Sequence, residues 1–214
     1  VTEVLKSPLD AQLRGTRTDV TVLFSDIRGF TALCEKLAPE EVFELLNNYL
    51  TVMTEIIFRY GGTVDKFEGD AILVFFGAPQ PYEDQGERAV RTALEMRDQL
   101  SELQEDWIER TQDPLMIGIA IHSGEVMVGN IGSQRRMDYT VIGDTVNLAS
   151  RLQDLTKELN ASILISGSTL PMVQHMCQLR ALGSTEVRGR RQPVDIYEVV
   201  NLKTEDTGVD ISTH

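Results

Sequence analysis

The chain has 214 residues, of which 33 are acidic and 20 basic, for a net charge of −13. That balance argues against a nucleic-acid or anionic-membrane partner, since either would be repelled without a compensating basic patch. The only basic cluster, Arg188, Arg190 and Arg191, is too short to be one, though it can hold a phosphate.

Hydrophobic and charged contents of 42% and 25% are those of a globular protein large enough for a sizeable core. Cys34 and Cys177 offer neither a disulfide framework nor metal-ligand spacing. No apolar run approaches the roughly 20 residues that cross a bilayer. A reducing, cytoplasmic setting is therefore expected, with no membrane attachment through this domain. A chain that opens on Val1 reads as part of a longer protein.

Residues 1–18 carry weak periodicity and read as a linker or the tail of an upstream element. Val20 to Ser25 is the first expected strand, ending at Asp26; Gly29 marks a loop and Thr31 can open a helix. From Pro39, Val42, Leu45, Leu46, Tyr49, Val52, Met53 and Ile56 recur at helical spacing, and Gly61-Gly62 stops that helix. Thr63 to Phe67 and Asp70 to Phe76 read as a hairpin turning at Glu68-Gly69. Asp84 and Glu87 fit a capping box opening a second long helix, with Ala89, Ala93, Met96, Leu100, Leu103 and Trp107 as its stripe. Both apolar stripes are read as core-facing.

Leu115 to Ile121 and Glu125 to Val128 are expected as two strands joined at Ser123-Gly124, followed by a strand at Tyr139 to Ile142. Gly143-Asp144 leads into a helix carrying Val146, Leu148, Ala149, Leu152 and Leu155, and Ser162 to Ile165 is again a strand. Residues 179–200 read as a closing hairpin with turn chemistry at Gly189 and Pro193, and the polar end of the chain as a flexible tail from 201 to 214. Strands that alternate with helices yet pair as hairpins suggest an α+β domain over residues 19–200. Its helices are expected on one face of a mainly antiparallel sheet.

Two aspartates carry the first chemical signal. Asp26, at the end of a buried strand, can present oxygens to a hard cation, and the loop after it can turn N–H groups toward phosphate. Asp70 starts another apolar strand; if the hairpin pairs beside the first strand, the two carboxylates face each other and repel unless a cation lies between them. Taken singly, each reads equally well as an ordinary turn residue. Asn147 and Arg151, four apart on a helix, share a face suited to a ribose and a charged phosphoryl group, or belong to a plain surface helix.

The segments Phe24-Ser25-Asp26-Ile27-Arg28-Gly29-Phe30-Thr31, Lys66-Phe67-Glu68-Gly69-Asp70 and Gly143 to Arg151 resemble, in order and spacing, the signatures of class III nucleotidyl cyclases. Ile121 to Glu125 and Val187-Arg188-Gly189 resemble the family too, and the likeness spans about residues 18–200. It implies a ferredoxin-like catalytic domain working as a head-to-tail homodimer with active sites between the chains. By the same resemblance Asp26, Asp70 and the Ile27 carbonyl hold two divalent ions, Mg²⁺ or Mn²⁺, and the backbone of Ile27, Arg28, Gly29, Phe30 and Thr31 cradles phosphates. Asn147 and Arg151 come from the partner, and Arg188 meets the terminal phosphates.

Lys66 and Thr140 stand where the family selects the purine, and the pair resembles adenylate rather than guanylate cyclases. Lysine can donate to adenine N1 but not to the protonated N1 of guanine, and threonine can accept from the 6-amino group. The expected activity is conversion of ATP to cyclic AMP and pyrophosphate. Rival readings are a guanylate or relaxed-specificity cyclase, and a non-catalytic nucleotide-binding regulatory module. Regulatory domains are expected elsewhere in a longer chain.

Overall fold

The computed structural model describes residues 15–133, 136–186 and 192–203. Its elements in chain order are β1 (Thr16–Ile27), α1 (Phe30–Cys34), α2 (Pro39–Arg59), β2 (Thr63–Glu68), β3 (Ala71–Phe76) and α3 (Gln85–Thr111), then β4 (Ile117–Ser133) and β5 (Arg136–Ile142). After these come α4 (Asp144–Glu158), β6 (Ile163–Ser166), α5 (Leu170–Val173), β7 (Cys177–Thr185) and β8 (Val194–Leu202).

One sheet holds all of these strands in the order β2-β3-β1-β4-β6-β8-β7, with β5 folded back on the distal half of β4. Its first half is the ferredoxin-like arrangement: β1 lies between β3 and β4, antiparallel to both, and β2 pairs with β3. Only β4 and β6 run parallel, as a crossover through α4 requires. The expected closing hairpin is β7–β8; Pro193 directly precedes β8, while Gly189 and Arg188 lie outside the described residues. No described helix is long and apolar enough to cross a membrane.

The two stripes read from the sequence face the core. Leu45, Tyr49, Met53 and Ile56 of α2 and Ala89, Ala93, Met96, Leu100 and Trp107 of α3 are buried against Leu23, Ile72, Val74, Ile119 and Ile121. The expectation of helices on one face does not hold. Leu148, Ala149 and Leu152 of α4 pack on the opposite face, against Val20, Val22, Phe24, Ala120 and Leu164. The unbroken burial of Val20 to Phe24 and of Ile119 to Ile121 is the mark of strands covered on both sides.

Two local expectations are also corrected. Ser123-Gly124 is no turn: β4 runs straight through it, with Ser123 opposite Thr21 and Gly124 opposite Val20. The glycine is needed for packing, because a Cβ there would lie 2.8 Å from Thr145 Oγ1, the hydroxyl that donates to the Glu125 carbonyl at 2.8 Å. The capping box at α3 does not form. Asp84 is the N-cap residue, but its Oδ1 accepts from Arg88 Nε at 2.7 Å. It is α2 that has such a contact, Glu41 Oε2 accepting the Ala38 N–H at 3.1 Å.

Candidate active site

β1 and β3 are in register up to the pair Ser25–Ile72, so Asp26 and Asp70 come off neighbouring strand ends on the same edge. Asp70 Oδ2 accepts the Ile27 N–H at 3.1 Å, joining the β2–β3 turn to the start of the loop. Gly29 then takes φ 77°, a left-handed conformation open cheaply only to glycine, and the chain turns into α1 one residue before Thr31. Asp26, Ile27 to Ala32, and Asp70 line a pocket of about 330 Å³, closed on its far side by Gln153, Asp154, Thr156 and Lys157 from the end of α4.

The electrostatics of this pocket are those of uncompensated negative charge. Burial, and then the hydrogen bond and repulsion from Asp70, push the Asp26 carboxyl up to about 7. Beneath it the phenol of Tyr49, fully buried, lies 3.4 Å from Ser25 Oγ, and burial holds its pKa well above the ordinary tyrosine value. Two neighbouring carboxylates at strand ends are a donor set suited to hard divalent cations. No group of three or more acidic, histidine or cysteine side chains able to hold a metal occurs among the described residues, which leaves this pair and nearby carbonyls.

The other expected residues lie elsewhere. Lys66 is on β2, Thr140 is buried in β5 opposite Gly129, and Asn147 and Arg151 occupy the first turns of α4. None of the four lines the Asp26–Asp70 pocket. Asn147 precedes Thr156 by nine residues, about 13 Å along the helix axis. The strands that carry Lys66 and Thr140, β2 and β5, touch each other. The Arg151 guanidinium keeps one nitrogen, Nη1, buried without a hydrogen bond. Within one protomer Lys66, Thr140, Asn147 and Arg151 thus lie outside the pocket lined by Asp26, Asp70 and residues 27–32.

Two residues escaped the sequence reading, Asp65 and Lys157, as did the side-chain contacts of Arg28. Asp65 occupies a bulge between the pairs Val64–Val74 and Lys66–Leu73; its side chain is wholly buried, with Oδ2 3.3 Å from Lys66 Nζ and no hydrogen bond to either oxygen. Lys157 brings a cation to the phosphate-loop pocket. Arg28 Nη2 donates to the Thr156 and Ala161 carbonyls at 3.1 and 2.7 Å, so its side chain is held toward the end of α4.

The fold and the paired carboxylates define a nucleotidyl cyclase catalytic domain. Residues 14–201 match the adenylate and guanylate cyclase catalytic domain family, and the chain belongs to that family. It is similar to the adenylyl cyclase CyaB from P. aeruginosa, with 42% identity, a TM-score of 0.83, and coverage of 92% of this chain and 100% of that one. It is similar also to the guanylyl cyclase Cya2, with 39% identity, a TM-score of 0.80, and coverage of 90% and 97%. Adenylate cyclase 1 of Rhizobium meliloti is 34% identical over 186 residues, 87% of this chain but only 28% of that relative's length.

Proposed function

We propose that this domain is an adenylate cyclase that converts ATP to 3′,5′-cyclic AMP and pyrophosphate, with each active site shared between two copies of the chain. The observation that carries the reading is the division of the site into two halves. The pocket of Asp26, Asp70 and the Ile27–Thr31 loop is suited to cations and phosphates, and neither Lys66 nor Thr140 lines it. Lys66 and Thr140 supply purine selection from a surface of their own, with Asn147 and Arg151 on α4.

Association of two copies would bring opposite halves together. Its natural surface is the tip of β2 and the β4–β5 arm, where Phe67, Met127, Ile131, Tyr139 and Ile142 stay exposed on the protomer. Large apolar side chains clustered on a projecting arm favour a partner of the same kind.

In the assembled site, Lys66 donates to adenine N1 and Thr140 accepts from the 6-amino group. Asn147 orients the ribose so that its 3′-hydroxyl lies in line with the α-phosphorus, and Arg151 stabilises the charge that grows on the α-phosphate oxygens as the bond to pyrophosphate breaks. The backbone of Ile27 to Thr31 holds the β- and γ-phosphates, with Lys157 and Arg188 as candidate cations for the leaving group. Mg²⁺ or Mn²⁺ held by Asp26, Asp70 and the Ile27 carbonyl would supply acidification of the 3′-hydroxyl and charge neutralisation at the phosphates. Regulatory domains elsewhere in a longer chain fit a domain that spans 28% of the R. meliloti relative.

The shared site is tested by complementation. Asp26→Asn and Arg151→Ala homodimers should each be nearly inactive. After subunit exchange between equal amounts, about half the dimers are mixed and have one intact site of two, so roughly a quarter of wild-type activity returns. No recovery despite demonstrated exchange refutes the shared site.

A further inference from the structure

We infer that Arg28 is a strut that couples the two active sites of the dimer, by tying the phosphate loop of each chain to the helix that serves the opposite site. The inference rests on the shared-site reading above. Arg28 sits between Ile27 and Gly29, and its N–H donates to the Met116 carbonyl at 2.8 Å, fixing the loop to the head of β4. Its guanidinium spans the gap between the loop and the end of α4. Nη2 donates to Thr156 O at 3.1 Å and to Ala161 O at 2.7 Å, the latter just before β6.

The Thr156 carbonyl lies in the last turn of α4, where a helix carries a partial negative charge, so a cation fits there, and Ala161 follows just beyond the helix end. Thr156 O also accepts the Ala161 N–H at 3.0 Å, so the arginine and the chain reversal after α4 meet at one atom. The guanidinium is partly buried, and Nε is buried with no hydrogen bond. The geometry therefore depends on the two carbonyl contacts of the one nitrogen, and loss of the guanidinium leaves both carbonyls without that donor.

The other end of the same helix carries Asn147 and Arg151. α4 cannot tilt freely over β4. Gln153 Nε2 donates to Gly118 O at 3.4 Å, and a Cβ on Gly118 would collide with Thr156 Oγ1. A displacement of the phosphate loop, when nucleotide enters, is therefore passed through Arg28 to a rigid helix whose far end stands in the other site. Arg28 acts through other groups and is a positioning residue.

The test uses dimers with a single live site. Differently tagged Asp26→Asn and Arg151→Ala chains are co-purified; the live site then takes its loop from the Arg151→Ala chain and its α4 from the Asp26→Asn chain. Activity of this pair establishes the shared site, and an inactive pair, shown to be assembled, overturns that reading and the strut with it. Arg28→Met is then added to one chain or the other. Placed on the Asp26→Asn chain, whose loop has no part in the live site, it should still lower kcat about tenfold, with KM for ATP changed less than about twofold.

The same substitution on the Arg151→Ala chain should lower kcat as well. Arg28→Lys, which keeps a cation but places it on a flexible stem without the planar guanidinium, should recover part of the loss in both placements. If Arg28→Met chains do not assemble, the lysine variant carries the comparison. A loss confined to the chain that supplies the loop would make Arg28 a local brace and overturn the coupling.

Discussion

Replacing Asp26 with asparagine should stabilise the metal-free protein at alkaline pH while abolishing its activity. The Asp26 carboxyl is half-buried beside Asp70, and its pKa rises from an ordinary 3.8 to about 7. Between those values the folded state binds more protons than the unfolded one, so stability falls as pH rises through the window. Taken in full, a rise of about 3 units at about 1.4 kcal/mol each is about 4 kcal/mol of lost stability above pH 7. Solvent screens a half-exposed carboxylate, and about 1–2 kcal/mol is the reasonable share.

For a domain of this size that corresponds to a melting temperature roughly 2–8 °C higher for Asp26→Asn than for wild type in EDTA at pH 8. At pH 5 the gap should be smaller, since part of the wild-type carboxyl is then protonated in the fold. Excess Mg²⁺ should reverse the order at pH 8, because only the wild type gains from binding the ion. Circular dichroism melts at the two pH values, with EDTA or Mg²⁺, read all of these. A wild type whose metal-free stability rises from pH 5 to pH 8, or an Asp26→Asn variant that melts lower in EDTA at pH 8, would refute the electrostatic argument.

Lys66→Glu with Thr140→Cys reverses the donor and acceptor pattern offered to the purine and should cut kcat/KM for ATP far more than for GTP, read by competition between the two. Ile142→Asp puts a charge on an exposed residue of the β5 arm, and should leave the protomer's melting temperature within about 1 °C while raising the concentration needed for dimerisation and activity in sedimentation and turnover assays. Gly118→Ala should cost about 1–3 kcal/mol in denaturant unfolding, because the new methyl group meets Thr156 Oγ1 where α4 packs on β4.

The amphipathic helices were legible because each buries one face: the stripes of α2 and α3 have a period that nothing else explains. The meeting of Asp26 and Asp70 beside the Gly29 loop was legible too, since an apolar strand ending in Asp26, a glycine, and a second strand headed by Asp70 are local patterns. What failed has a common cause. Gly124 was read as a turn because sequence carries no sign that a glycine makes room for a side chain from elsewhere, here Thr145. The placement of α4 on the second face follows from long-range pairing of β4 with β6, which no local period encodes. Asp65 reads as a polar strand residue until the bulge turns it inward beside Lys66. Arg28 counted only as backbone in the loop, because its acceptors are 128 and 133 residues away.

The measurement that bears most directly on the central claim is the rate of cyclic nucleotide formation by the purified domain from ATP and from GTP, with Mg²⁺ or Mn²⁺, across a range of protein concentrations. The account predicts cyclic AMP as the main product, a specific activity that rises with concentration to a plateau as dimers form, and none in EDTA. Cyclic GMP as the main product, or no product at concentrations where the domain is shown to be dimeric and metal-loaded, would contradict it.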